Sequence, residues 1–275
     1  MTADASTLPL GKHTDYPDRY DPSLLVGVPR AQTRDFWPAD HALPFAGSDH
    51  WTGFELSWLN AQGKPEAACL QLDYPASSPA IVESKSLKLY LNSLNQTAFS
   101  HHDNLIATMQ RDIAAVVGTA VRITVLPFDD AALVVAPWTD YCLDTLAVEM
   151  GDYHCDARLL GCHPDEITTE TLTTHLFRSL CPVTGQPDWA SVRIQYTGPR
   201  IRHSSLLQYL CSFRLHGGFH EQCIERLFCD LHRHCLPTML SVEGRFTRRG
   251  GLDINPFRHT LGSTVQPTLQ RQARQ

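Results

Sequence analysis

The sequence predicts an α+β protein built from two related halves, each an antiparallel sheet with helices packed on one face. Three observations predict it: an internal repeat, the apolar alternation of half-buried strands in both copies, and an apolar stripe at helical spacing in both copies. Ser86-Leu87-Lys88-Leu89-Tyr90-Leu91-Asn92-Ser93-Leu94 faces Ser205-Leu206-Leu207-Gln208-Tyr209-Leu210-Cys211-Ser212-Phe213 at an offset of 119, with five of nine positions identical. Upstream, Gly63-Lys64-Pro65-Glu66-Ala67-Ala68 faces Gly185-Gln186-Pro187-Asp188-Trp189-Ala190 at an offset of 122.

Taken in order, the segment up to about residue 45 is rich in Pro and Asp and is expected to wrap the surface. Leu70, Leu72 and Tyr74 alternate with Gln71 and Asp73, a strand pattern matched by Val192, Ile194 and Tyr196 around Arg193 and Gln195. Leu105, Met109, Ile113 and Val116 have helical spacing, opened by Asp103 or Asn104 as N-cap and closed by Gly118. Ile224, Leu227, Phe228 and Leu231 are their counterparts. Val121, Ile123 and Val125 form another strand, matched by Leu240 and Val242. Each half therefore reads strand, turn, strand, helix, strand, with the join between Phe128 and Asp165. The stretch from Ser263 is polar and is expected to fray.

Composition narrows the function. The 275 residues are 43% hydrophobic and 19% charged, a globular balance, and 23 Lys plus Arg against 29 Asp plus Glu give a net charge of -6. That argues against a general phosphate-backbone binder, so no direct nucleic-acid partner is expected. No apolar run approaches the ~20 residues of a membrane span, so no membrane partner is expected either. Met1-Thr2-Ala3-Asp4-Ala5-Ser6 lacks the features of a signal peptide, and nine cysteines are an odd count. They read as reduced thiols of a cytoplasmic protein.

The halves diverge at residues with chemistry to offer. Cys181 stands where the first half has Leu59, Asp188 where it has Glu66, and His220-Glu221 where it has His101-His102. Conversely, Glu83-Ser84-Lys85 faces Arg202-His203-Ser204. A site drawing on both halves is the expectation. Cys181 is either a small buried hydrophobe or a nucleophile whose thiol proton Asp188 takes and returns, with His220 as a second relay. Glu83 and Glu221 are either solvated carboxylates or acceptors for the adjacent N–H donors of an amino-heterocycle. Lys85 and Lys88, alternating with Leu87 and Leu89, read as a strand with a basic outer face or as phosphate contacts. Arg248-Arg249-Gly250-Gly251 reads as a solvated turn or a phosphate grip. His154-Cys155 and Cys162-His163 lack any C-x-x-C or finger spacing, so no metal is assigned. Cys223, Cys229 and Cys235 lie six apart on a helical stretch, a spacing that does not put them on one face. No G-x-G-x-x-G or Walker motif is present.

Three segments carry a family resemblance. Glu83-Ser84-Lys85-Ser86-Leu87-Lys88 resembles the signature hexapeptide of the NADPH-dependent 7-cyano-7-deazaguanine reductases. Leu180-Cys181-Pro182-Val183-Thr184-Gly185-Gln186-Pro187-Asp188 is similar to their nucleophile segment, and Gly218-Phe219-His220-Glu221-Gln222-Cys223 to their substrate-binding segment. The likeness runs from Tyr20-Asp21-Pro22-Ser23-Leu24-Leu25 to Arg248-Arg249-Gly250-Gly251. It implies two fused tunnelling-fold units, residues 1–135 with the hexapeptide and 136–275 with the nucleophile, associating as a homodimer. It also implies a queuosine-pathway nitrile reductase that converts the free base 7-cyano-7-deazaguanine to the aminomethyl base with two NADPH. In that reading Cys181 forms a covalent thioimide, Asp188 donates the proton and His220 assists. Glu83, Ser84, Lys85, His220 and Glu221 hold the substrate, while Lys85, Ser86, Arg249 and Gly250 meet NADPH. From the residues alone two alternatives stand beside it: a Cys181/His220 amidohydrolase, and a non-catalytic module binding a purine or pterin.

Overall fold

A computed structural model describes residues 16–151 and 153–275; the reading of Met1–Ser6 lies outside the described residues. The chain forms two compact units. The first comprises residues 16–33, Asp49–Leu133 and Arg248–Ile254; the second comprises Arg34–Ser48, Val134–Thr247 and Asn255–Gln275.

The strands and helices appear in the order β1 (Gly27–Pro29), β2 (Phe45–Leu59), β3 (Pro65–Pro75), β4 (Ala80–Val82), α1 (Ser84–Ser93), α2 (His102–Val117) and β5 (Arg122–Leu126). They continue with β6 (Tyr141–Cys142), β7 (Cys162–Leu180), β8 (Pro187–Ile201), α3 (His203–Ser212), α4 (His220–Cys235), β9 (Met239–Phe246) and β10 (Leu252–Thr260). The class is α+β, with antiparallel pairing dominant. Both β2 and β10 contribute residues to each unit.

In the first unit the strand order is β5-β3-β2, and β1 pairs separately with β4. Beside β2, the Phe54 N–H donates to the Gly251 carbonyl at 2.8 Å. The alternation in β3 is borne out: Leu70, Leu72 and Tyr74 are buried while Gln71 and Asp73 are half-buried. Leu87, Tyr90, Leu105, Met109, Ile113 and Val117 from α1 and α2 pack on Leu56, Leu70 and Leu72 as one core. Burying each such side chain stabilises the fold by about 1.5–3 kcal/mol before chain entropy is counted.

The second unit has the order β10-β9-β8-β7-β6, antiparallel except where β6 lies parallel to β7. Val192, Ile194 and Tyr196 point into its core as expected.

Several expectations are corrected. Lys85–Leu89 is helix, not strand; a five-residue alternation is too short to separate the two periods. The Glu83 carboxylate decides it locally, accepting from the Lys85 and Ser86 backbone N–H groups at 2.9 and 2.7 Å. Since α3 occupies the equivalent place, each half has two helices rather than one. The N-cap of α2 is His101, two residues before Asp103 and three before Asn104, while Gly118 closes it at φ +75° as expected. The helices α2 and α4 each have sixteen residues and start at His102 and His220, an offset of 118. The structural partner of Glu221 is therefore Asp103, not His102.

The segment up to residue 45 does more than wrap the surface. Arg30 is buried, bonded to Asp49 and to Ser78. Residues 263–275 are not frayed throughout: Gln272 and Gln275 are buried, and the Gln275 side chain accepts from Arg245 at 3.0 Å and donates to Asn255 at 2.7 Å. Cys223, Cys229 and Cys235 are all fully buried, because α4 is enclosed on more than one side. Among the described residues no helix is long and apolar enough to cross a membrane.

Candidate active site

The hairpin between β7 and β8 presents Cys181. Its strands are in register at Ser179 opposite Asp188 and Leu180 opposite Pro187. Cys181 opens the turn, which its own backbone closes: its N–H donates to the Gln186 carbonyl at 2.8 Å, and its carbonyl accepts from Gly185 at 2.9 Å. Gly185 sits at φ +69°, a conformation that a residue with a Cβ adopts only at a cost. Ser179 and Asp188 share one face of the sheet, and Cys181 follows directly on the end of β7 at Leu180. Cys181 is buried, with 7% of its surface exposed, and Asp188 is also buried.

The same hairpin carries the loop before α4. Leu180 accepts from the Gly218 N–H at 3.0 Å and donates to the His216 carbonyl at 2.8 Å. That places the first turn of α4 over the strand end, and His220 Nε2 lies 3.3 Å from Asp188 Oδ2. On its other side the imidazole stacks on Phe246 of β9, with centroids 3.9 Å apart and planes 6° apart. Sequence reading missed Phe246, whose place depends on the β8–β9 register that sets Ala190 opposite it. Glu221, next on the helix, is buried. Cys223, on the same helix, is fully buried, and burial pushes its thiol up to about 12. Burial does the same to Cys155 and Cys235, so these rest as inert thiols at neutral pH. All nine cysteines are unbridged.

In the first unit, Glu83 and Ser86 are buried at the start of α1, with Ser84 and Lys85 half-exposed beside them. Each Glu83 oxygen accepts one backbone N–H and retains a lone pair. One turn along α1, Lys88 faces the Arg248–Gly251 turn. Gly250 lies at φ +60°, and a Cβ built there would come 2.8 Å from Lys88 Nζ. Lys88, Asn92, Asn95, Gly250 and Glu55 line a cavity of about 370 Å3. Lys85, Ser86 and Arg249 are not among its lining residues; Arg249 instead pairs its backbone with Leu252. Arg248 lies over the Phe54 ring, 4.8 Å from its centroid.

Comparison with known proteins supplies the rest. Residues 16–125 match the family model described as nitrile reductase, 7-cyano-7-deazaguanine-reductase N-term, and residues 187–263 match that of the QueF-like proteins. A protein of Chromobacterium violaceum named NADPH-dependent 7-cyano-7-deazaguanine reductase is 49% identical, covering 97% of this chain and 96% of its own. One of the same name from Bordetella pertussis is 47% identical over 98% and 99%, and one from Hydrogenovibrio crunogenus 46% over 94% and 92%. A crystal structure titled as an archaeosine synthase QueF-Like in the apo form overlaps 35% of this chain at 16% identity and a TM-score of 0.31, too slight to define a shared fold. With full-length relatives near half identity and both family models met in order, the chain belongs to the 7-cyano-7-deazaguanine reductase family.

Proposed function

We propose that this chain reduces the nitrile of 7-cyano-7-deazaguanine to the aminomethyl base with NADPH, in queuosine biosynthesis, through a covalent thioimide on Cys181. The observation that carries this reading is the Asp188–His220 pair, 3.3 Å apart at the mouth of the hairpin that Cys181 opens, in a chain of this family.

A nitrile is a poor hydride acceptor. Attack by Cys181 Sγ on the nitrile carbon forms a C–S bond and turns C≡N into C=N. Asp188 takes the thiol proton and hands it to the nitrile nitrogen, and His220, held flat by Phe246, steadies the carboxyl and relays further protons. Reduction at carbon leaves a tetrahedral C–S centre; cleavage of that bond returns the thiolate and leaves an imine, which is reduced to the amine. When bound, NADPH supplies both hydrides. Burial of Cys181 and Asp188 limits hydrolysis of the C=N species by water.

The chain fits a phosphate-bearing cofactor. Gly250 and Gly251 both have positive φ, and a Cβ at 250 would meet Lys88 Nζ at 2.8 Å, so the absence of a side chain there lets the ammonium lie against the turn's backbone, a pairing of cation and backbone suited to phosphate oxygens. Lys85, Ser86, Arg249 and Gly250 are assigned to NADPH. Glu83 and Glu221 are assigned to the guanine-like edge, with Ser84, Lys85 and His220 beside it. The substrate is a free base met in the cytoplasm, without direct nucleic-acid contact, and two chains of fused tunnelling-fold units, 1–135 and 136–275, form a homodimer.

The deciding experiment is intact-protein mass after mixing with 7-cyano-7-deazaguanine without NADPH, wild type beside Cys181→Ala. The expected result is a gain of one substrate mass in wild type alone, discharged to the amine when NADPH is added. No adduct on folded wild type sinks the nucleophile; release of a carboxylic acid would identify an amidohydrolase, and equal noncovalent affinity in both proteins a binding module.

A further inference from the structure

Outside the site described above, one set of side chains combines three metal-ligating chemistries. Cys142 ends the short strand β6, Asp144 lies in the helical turn Leu143–Thr145 that follows it, and His175 is on β7. One potential ligand atom from each lies within 4.8 Å of the other two. No sequence pattern announces them, since 31 residues separate Asp144 from His175 and neither belongs to a Cys/His motif.

The backbone brings them together for definite reasons. Parallel pairing of Cys142 with Thr173 lays β6 beside β7. The β7–β8 register then breaks between Thr174 and Phe177, and His175 sits in that irregularity. The Asp144 carboxylate is held against the break, accepting from Thr174 Oγ1 at 2.6 Å and from the His175 N–H at 3.0 Å. His175 Nδ1 is 2.8 Å from Ser191 Oγ. With the proton on Nδ1, that contact orients the ring and leaves the Nε2 lone pair for a ligand, as outer partners of metal-bound histidines do.

We propose that Cys142, Asp144 and His175 form a binding site for a divalent thiophilic cation of the Zn2+ class, separate from the Cys181 centre. Thiolate, imidazole and carboxylate together suit such an ion over Mg2+ or Ca2+, which take oxygen ligands. Thiolate and carboxylate neutralise the dication, and three protein ligands leave a fourth position open. Ligand atoms around tetrahedral zinc sit about 3.5 Å apart, so a set already within 4.8 Å needs to draw in by about 1 Å to close on an ion. The bound ion would staple β6 and its turn to the β7 edge. Arg274, which donates to the His175 carbonyl at 2.7 Å, is the neighbouring cation that moderates affinity.

The test uses Cys181→Ala protein, so that a thiolate-to-cobalt band cannot arise from the Cys181 centre. Titration with Co2+ is expected to reach one equivalent, with tetrahedral d–d bands and a thiolate-to-cobalt band. Both signals are expected to vanish in the further variants Cys142→Ser and His175→Ala, with far-UV circular dichroism unchanged. No thiolate band, or bands persisting in both variants, overturns the site. Should the variants fail to fold, wild type decides. Zn2+ is expected to slow alkylation of Cys142 about tenfold or more while half-buried Cys162 reacts as before, because the bound thiolate is no longer free to attack. Equal rates at Cys142 with and without Zn2+ overturn the proposal.

Discussion

At the scale of single residues, Asp188 is the group whose role most needs its charge. Asp188→Asn keeps the shape and its place opposite Ser179 but cannot shuttle a proton. Under the proposed chemistry kcat is expected to fall about 10²–10⁴-fold, with substrate affinity little changed, as read by NADPH oxidation and by equilibrium binding. Cys181, Asp188 and Glu221 were legible because they differ from their counterparts in the internal repeat, whereas His220 has a histidine, His102, in the equivalent place and stood out only by its position beside Glu221. Phe246 was not, since its contact with His220 arises only when β9 pairs with β8. Glu83 was legible as a residue but not as a helix cap: Glu is a poor N-cap by propensity, and only the folded turn shows its carboxylate bound to two N–H groups.

At the scale of elements, the halves solve the same local problems with the same residue types where their two helices are hydrogen-bonded together and with different ones where α2 and α4 end. Tyr90 donates to Asp112 at 2.8 Å and Tyr209 to Asp230 at 2.5 Å, and Ser93 and Ser212 each bond back to those tyrosines' carbonyls. The helix ends differ: α2 stops at Gly118, α4 at exposed Leu236 with φ +50°. A leucine there is strained, so Leu236→Gly is expected to stabilise by about 0.5–1 kcal/mol in urea unfolding. The reverse change, Gly118→Leu, is expected to destabilise, because a Cβ would meet Pro79 at 2.9 Å. The loop before α4 adds a pH dependence. Burial first, and the Arg226 charge second, hold His216 down to about 4. Between that value and the ordinary value of about 6.5 the unfolded chain binds the extra proton, so stability falls as pH drops through this window. The urea midpoint is expected to decline from pH 6.5 to 4, and His216→Gln to flatten that decline.

At the scale of the whole molecule, the second unit is tied by charge as well as by its core. Glu225 on α4 accepts from Arg34 at 2.7 and 2.8 Å and from Arg258 at 2.8 Å, and the Arg258 side chain is fully buried. Arg34 stands far from the other two in the chain, yet residues 34–48 belong to this unit. Glu225→Ala leaves both cations without their shared counter-charge and is expected to cost about 3–5 kcal/mol in chemical denaturation. A much smaller loss would mean that water reaches the guanidinium groups.

The sequence by itself determined the α+β class, the duplicated half, the main strands and the Gly118 helix stop. All of these are local patterns along the chain, which need no knowledge of what lies opposite. The tertiary structure alone decided that Lys85–Leu89 is helix, that residues 34–48 and 248–254 join units distant in sequence, and that residues up to Gln275 are packed down. It also decided that Phe246 flanks His220 and that Cys142, Asp144 and His175 meet. Each of those depends on strand register and long-range burial, which bring together side chains that no spacing along the chain relates.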